Sequence, residues 1–476
     1  MKKYIFSIAL AAAACTMTSC GDDFLEKTPD LQVTEPSIYN NADRIEATMN
    51  GVYARMKSIY FFGGYTVCAL DNRTDDFVNG GNNGYTMRDT YNHAVMGNCI
   101  ENGYMYYRAY LTINAANTMI YNLENTEDLP ISDALKNQYI QNCKFVRSLS
   151  WFYLSALFGQ PYNYSPDSKA VPMWTEPIAD TEHNDKAPST ISEIFAQILS
   201  DTQDVSAMQK KSDEGFDCTF PSQEAAAMLR MRVYMCMNQW QNAITEGNKV
   251  TGFQLGASVA EMFDSPFRNE ETIYSMPMSS NDRGSSQYHP AGYWTAGSGY
   301  IDTLNMRTGI MSKEAYALAT DARTKFCKDP ENVGRWTHYE KYDDYTNFLE
   351  WIHIFRYGET LLNLAECYYN LGEEATAAEL CQQVRQRSIP TGDILNVMSM
   401  RGEELKQAIY NERRTEFACE GMRGLDIYRR AEDFKHPTTT CINGVWQEEV
   451  VATPSDRSTY CWAYPTYETT VNGSLE

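Results

Sequence analysis

A mainly helical fold is what this sequence predicts, and three observations carry that reading. Apolar residues recur at three- and four-residue steps through most of the chain, the spacing of one buried helix face. Two segments set small alanines beside a tyrosine or tryptophan in the manner of stacked helical hairpins. Stretches rich in proline and glycine fall in a few bounded regions between the periodic ones.

Taken in order, Asp43 to Met56 reads as an early helix with Ile45, Met49, Val52 and Met56 on a common face. Asn102 to Leu123 continues in kind, with Tyr106, Tyr110, Ile113 and Ile120 inward. Ser132 to Phe158 is a long helix or a helix pair. Ser132 is placed to cap it, Leu135, Tyr139, Val146, Leu149 and Tyr153 form its stripe, and Gly159-Gln160-Pro161 ends it. Pro161 to Pro188 holds five prolines and is loop. Helices resume at Ser189 to Glu193, where Ser189 or Thr190 caps and Glu193 closes a capping box.

Ser222 to Asn238 and Trp240 to Val250 then form a helical hairpin. That hairpin (Ala225-Ala226-Ala227, Tyr234, Trp240, Ala243) and the stretch Leu364-Ala365, Tyr368 to Gly372, Ala377-Ala378, Val384 look like tetratricopeptide units. In each, alanines let one helix approach its neighbour while a large ring fills the angle between them. Such a pair cannot bury its own apolar face, so several must stack. Thr251 to Thr308 breaks the pattern and reads as long loops with short strands, and the tail from His436 to Glu476 reads as irregular.

The first residues read as a processing signal. Met1-Lys2-Lys3 is positive, Tyr4 to Ala14 is apolar or small and too short to span a bilayer, and Met17-Thr18-Ser19-Cys20 has the form of a lipobox. Cys15 is a competing site, but Gly21-Asp22-Asp23 after Cys20 opens a polar tether. The expectation is a signal peptide over 1–19, an acylated Cys20 and a single domain over 21–476, with parts at about 21–250 and 251–476. Loss of Lys2 and Lys3 takes the net charge from −22 to −24, a surface that repels phosphate backbones, so nucleic acid is excluded as a partner. Thirteen cysteines include no Cys-x-x-Cys. Cys236, Cys367, Cys381 and Cys419 fall in helical patterns and read as small buried apolar residues, so few disulfides are expected.

Catalytic patterns are weak. The six histidines are dispersed with no His-Glu-x-x-His, and no Gly-x-Ser-x-Gly elbow or phosphate-cradling loop appears. Asp71-Asn72-Arg73-Thr74-Asp75 begins like a calcium loop but carries Arg73 where an oxygen ligand belongs. No cofactor, no metal and no enzymatic activity are expected. The acids and arginines of 411–429 read as scaffolding: Glu412, Glu416 and Glu420 share a face, and Asp426 and Arg429 stand three apart, so arginine–carboxylate bridges would lock two helices together. Asp321-Ala322-Arg323 reads the same way.

Five separated motifs carry a family resemblance. They are Cys20-Gly21-Asp22-Asp23-Phe24-Leu25 with Pro29, Asn50-Gly51-Val52-Tyr53, Phe145-Val146-Arg147-Ser148-Leu149 with Phe158-Gly159, Asn411 to Arg429, and Pro465-Thr466-Tyr467-Glu468 with Asn472 and Leu475. In this order they resemble the SusD/RagB family of outer-membrane nutrient-binding lipoproteins, except that Gly473 replaces the usual proline. The resemblance implies tetratricopeptide-like helical pairs in a right-handed superhelix, with a loop-rich ligand-binding region on one side. It implies a lipid-anchored protein on the cell surface at the outer membrane. Such a protein binds a glycan and delivers it to a SusC-like TonB-dependent transporter. The alternatives are a peptide-binding RagB-like lid of the same transporter type and, from another class, a surface glycosidase.

A sugar site needs flat rings beside polar groups. Asp71 to Met96 and Ser285 to Tyr300 offer both, at positions comparable to the ligand-facing loops of SusD-like proteins. The candidate ligand-binding residues are Asn72, Arg73, Asn83, Tyr85, Tyr288, Tyr293, Trp294 and Tyr300. Trp294→Ala is expected to abolish glycan retention without lowering thermal stability.

Overall fold

The computed structural model describes residues 38–79, 87–178, 185–285, 288–294, 302–304, 320–327, 339–389, 396–442, 445–452 and 460–475. Residues 1–19, expected to be a signal peptide, and Cys20 lie outside the described residues. In the first half the elements are α1 (Ala42–Met56), α2 (Tyr65–Asn72), β1 (Phe77–Asn79), α3 (Arg88–Tyr91), α4 (Ile100–Asn125), α5 (Asp133–Phe158), β2 (Lys169–Val171), β3 (Ser189–Thr190), α6 (Ile191–Asp201), α7 (Gln223–Cys236) and α8 (Trp240–Gly247). The second half adds β4 (Thr272–Met276), α9 (Pro290–Trp294), β5 (Asp302–Leu304), β6 (Ile352–Arg356), α10 (Tyr357–Asn370), α11 (Glu374–Ser388), α12 (Gly402–Glu416), α13 (Met422–Arg429), β7 (Lys435–Ile442), β8 (Val445–Ala452) and α14 (Thr466–Val471). The protein is mainly helical, and the described strands form two-stranded antiparallel ribbons.

Helix starts follow local chemistry. Asn41 Oδ1 accepts from the Arg44 N–H at 3.0 Å, Ser132 Oγ from Leu135 N–H at 3.2 Å, and Ser222 Oγ from Ala225 N–H at 3.1 Å. Thr190 caps α6, and Glu193 reaches back to the Thr190 N–H at 2.7 Å, completing the capping box. The segment 132–158 is one helix, ended at Gly159.

Neighbouring helices pack as a stacked series: α1 on α4, α4 on α5, α5 on α6, α6 on α7, α7 on α8, α8 on α10, α10 on α11, and α11 on α12. Ile45, Met49, Val52 and Met56 of α1 are buried as their spacing predicts. Ala225, Ala226, Ala227 and Ala243 are buried in the α7–α8 hairpin, and Ala365, Ala377 and Ala378 in α10–α11. A side chain at Gly247 would meet Leu364 and Met231 at 2.9 Å, so this glycine lets the two hairpins approach.

Buried arginine–carboxylate pairs tie the stack together. Arg147 grips Asp201 through two bonds (2.7 and 2.8 Å) and donates to Asn117 Oδ1 at 2.9 Å, joining α4, α5 and α6. Arg232 of α7 holds Glu359 of α10 at 2.6 and 2.7 Å.

The region 251–308 carries short strands as expected, and also a short helix that its composition did not predict. Within it β4 pairs with β6, and α9 occupies 290–294. The tail is likewise more regular than its composition suggests, because β7 and β8 form a hairpin with Lys435 opposite Ala452 and Ile442 opposite Val445. Three consecutive threonines and a Val450-Val451 pair are β-formers there, but without alternation they gave no strand pattern. Ten cysteines are free among those whose side chains are described, Cys236, Cys367, Cys381 and Cys419 buried among them.

Candidate functional site

The motif 411–429 does two things in the structure: its charges pair with one another and with neighbouring elements, and it seats the region that carries the candidate site. Arg413 pairs with Asp426 at 2.9 and 3.0 Å, and Arg429 bonds Asp426 at 2.9 Å and Glu366 at 2.7 Å, so α10, α12 and α13 form one ionic block. Arg323 contacts Asp321, Glu412 and Glu416 at 2.6–3.1 Å, and Arg356 contacts Glu271, Glu416 and Glu420 at 2.6–2.7 Å. Burial alone would raise the Glu366 carboxyl, but Arg429 and Arg430 override it and hold it at about 2. Glu416 is held low in the same way by Arg387, Arg356 and Arg323 against its burial.

Two glycines explain how α13 receives α2. Gly421 adopts φ +76°, a left-handed conformation that favours glycine, and its N–H donates to Asp71 Oδ2 at 2.9 Å. At Gly424 an added Cβ would collide with the Leu70 carbonyl. Next along the chain, Arg414 pairs with Asp76, and Arg423 with Asp75 at 3.1 Å. Residues 71–76 are thereby clamped to the ionic block.

From this clamp the two candidate stretches converge. Phe77 of β1 lies 5.4 Å from the Trp294 ring, and β1 pairs with β5, Asn79 opposite Asp302. In sequence, 80–86 follows Asn79 and 295–301 precedes Asp302, and these two described residues are paired. Asn83, Tyr85 and Tyr300 belong to those segments and lie outside the described residues.

The remaining candidates are buried. Asn72 donates to the Met87 carbonyl at 2.9 Å. The Arg73 guanidinium stacks 4.2 Å over Phe434 and bonds the Ala156 and Tyr460 carbonyls; burial lowers its pKa to about 10. Tyr293 and Trp294 lie on α9 with 1% exposure each, and Tyr288 is buried as well. Their period read as loop because five residues of helix after a proline leave too little pattern to detect. The stability-neutral Trp294→Ala expected from sequence does not fit a ring so enclosed.

Tyr288 supports a surface that the sequence reading passed over. Its ring packs 4.5 Å from Tyr60, 5.5 Å from Tyr65 and 6.2 Å from Tyr104. Tyr60 and Tyr104 lie 4.5 Å apart and are half-buried, with the Arg108 guanidinium 5.5 Å from both the Tyr60 and Tyr107 rings. Tyr107 is 51% exposed, and Tyr467, whose hydroxyl donates to the Gly103 carbonyl at 3.1 Å, is 46% exposed. Tyr104, Tyr107 and Arg108 follow three- and four-residue steps on α4, the face opposite the buried Tyr106. That spacing was legible in Tyr104-Met105-Tyr106-Tyr107-Arg108, but only the inward stripe was read. The result is a platform of flat rings edged by phenol hydroxyls and one guanidinium, a surface able to stack on a ring-shaped, hydroxylated ligand.

Two hollows lie elsewhere on the surface, one of about 380 Å³ lined by Lys210, Lys211, Glu224 and Lys249, and one of about 470 Å³ lined by Gln138, Lys210, Asp213 and Phe216. Phe216 is the one aromatic lining them, so they lack a stacking surface.

Comparison with known proteins gives consistent matches across the chain. A family model described as the SusD family matches residues 230–475, and one described as starch-binding, associating with outer membrane, matches 23–235. The crystal structure of a SusD superfamily protein from Bacteroides fragilis is 39% identical, covers 92% of this chain and 100% of that one, and superposes with a TM-score of 0.85. The SusD-like protein P2 of Formosa agariphila is 24% identical, over 90% of this chain and 91% of its own. A surface glycan-binding protein A from Bacteroides thetaiotaomicron, solved with laminarihexaose, shares the fold at 16% identity and a TM-score of 0.63, with 82% and 90% of the chains covered.

Proposed function

This chain belongs to the SusD family, and from that premise we propose that it is a non-enzymatic glycan-binding lipoprotein of the outer-membrane surface. The observation that carries the reading is the tyrosine platform of Tyr60, Tyr104 and Tyr107 with Arg108, set on a helical frame tied by buried arginine–carboxylate pairs. Sugar rings stack on such faces while hydroxyls meet phenol and guanidinium groups. The oligosaccharide bound by the B. thetaiotaomicron relative supports a glycan as the ligand class. Asn83, Tyr85 and Tyr300, covalently tied to the paired Asn79–Asp302 end, are proposed to add contacts from the adjoining segments.

Anchoring runs through acylated Cys20, and the N- and C-terminal parts at about 21–250 and 251–476 act as one binding unit. The bound glycan passes to a SusC-like TonB-dependent barrel. Calorimetric titration against a panel of soluble oligosaccharides, laminarihexaose included, tests the reading. Binding without release of reducing ends is expected. Product release by the purified chain would replace it with a glycosidase, and failure of every glycan beside binding of peptides would replace it with a peptide lid. Cys20→Ala is expected to shift the protein from the membrane to the soluble fraction.

A further inference from the structure

Three metal-ligating side chains meet where α3 abuts the start of α4. Asp89 of α3, Cys99 at the N-cap of α4 and Glu101 in its first turn each place one ligating atom within 4.8 Å of the others. Cys99 Sγ and Asp89 Oδ2 are 3.4 Å apart, and the Asp89 N–H donates to Glu101 Oε1 at 3.3 Å. A second observation points to a missing partner. Glu101 is 0% exposed, yet its Oε2 has no hydrogen-bond partner among the described residues, and the buried Thr90 Oγ1 and Asn102 Oδ1 beside it have none either. A buried carboxylate oxygen without a partner is costly, and Glu101 Oε2 wants a proton donor or a cation.

We propose that Asp89, Cys99 and Glu101 form a binding site for a divalent cation of the zinc type, through one thiolate sulfur and two carboxylate oxygens, with water completing the coordination. The donor set selects this class: calcium and magnesium take oxygen ligands, whereas zinc accepts sulfur and carboxylate together. The 3.4 Å sulfur–oxygen separation already matches the edge of a tetrahedron whose arms are about 2.0–2.3 Å long.

The site would pin a corner that also gathers the returning tail. The Cys99 N–H donates to the Met96 carbonyl at 2.9 Å, Thr466 N–H to Gly97 at 2.7 Å, and Asn102 Nδ2 to the Ala463 carbonyl at 2.6 Å. The competing reading is a cluster held together by protons: burial, with Asp89 nearby, raises the Glu101 carboxyl to about 7, and burial raises the Cys99 thiol to about 11. Metal binding must displace those protons.

The full mature chain, stripped with chelator and titrated with cobalt(II), tests the proposal independently of any glycan. One equivalent is expected to bind with a thiolate-to-cobalt charge-transfer band in the near ultraviolet, zinc is expected to displace it, and zinc is expected to raise Tm. Cys99→Ser, the conservative change, should remove the band while the apo protein keeps its circular dichroism. Glu101→Gln should keep the band but weaken binding at least about tenfold. No band in the parent chain, or an undiminished band in Cys99→Ser, would overturn the site and leave the protonated cluster.

Discussion

The ionic block of α10, α12 and α13 and the tyrosine platform at the start of α4 are both polar and aromatic in composition, yet they have opposite physical fates. In the block, Arg356, Arg413 and Arg429 are buried and matched to Glu271, Glu416, Glu420, Asp426 and Glu366. On the platform, Tyr107 and Tyr467 remain half exposed, and Arg108 lies over rings. Charge concentrated in sequence therefore marks rigidity here, and recognition falls to residues whose sequence signal is weak. Binding energy is best preserved when the surface is already ordered, and the block supplies that order through the clamp on residues 71–76.

The contrast is most sharply tested by breaking the block. Arg356→Met takes one cation from each of Glu271, Glu416 and Glu420, which keep only Arg387, Arg323 and Lys341 between them, and removing one side of a buried pair costs roughly 3–5 kcal/mol. Denaturant unfolding should show at least that loss, or yield no folded protein. A variant within about 1 kcal/mol of the parent would mean that the block is ornamental.

Trp294→Ala comes next. A buried tryptophan truncated to alanine loses about 3–5 kcal/mol, and the ring lies against Phe77 beneath the converging strands. Thermal unfolding should fall markedly. A stability-neutral variant that no longer binds glycan would instead move Trp294 from the packing to the ligand surface.

Acid should act on the block before the platform. Glu366 is held at about 2 when folded and titrates near 4.3 when unfolded, so its contribution is present above about pH 4.3 and is lost as pH falls through about 2. Glu416 and Asp426, also held low, add to the same limb. Stability measured from pH 5 downward should decline progressively. Glu366→Gln should flatten that decline, and an unchanged profile in this variant would remove the carboxylate from the account.

How much of this was legible differs by region for physical reasons. The helices and caps were readable because periodicity and capping are local: the stripe of α1, the Ser132 cap and the Thr190–Glu193 box all follow from neighbouring residues. The scaffold role of 411–429 was readable from charge pairing, but the Arg413–Asp426 pair was not, because only the turn at Gly421 brings α13 back to α12. The ring faces were not readable. Tyr293, Trp294 and Tyr107 are equally aromatic, and which of them meets water depends on partners such as Phe77, more than 200 residues away in sequence. The helix face carrying Tyr104, Tyr107 and Arg108 was visible in the spacing, but half-exposed tyrosines on a long helix read as ordinary surface.

The smallest effect on stability, and the most direct test of the central claim, comes from the platform itself. Tyr107→Ala removes a half-exposed ring, so unfolding should change by no more than about 0.5 kcal/mol, while an interface tyrosine that carries binding loses more than about 1 kcal/mol when truncated. Calorimetric titration of Tyr107→Ala and of Tyr104→Ala/Tyr107→Ala with the oligosaccharide the parent binds best is the decisive measurement. The account predicts stepwise loss of affinity in variants whose Tm stays near that of the parent. Parent-like affinity in the double variant would contradict it and place the ligand elsewhere on the protein.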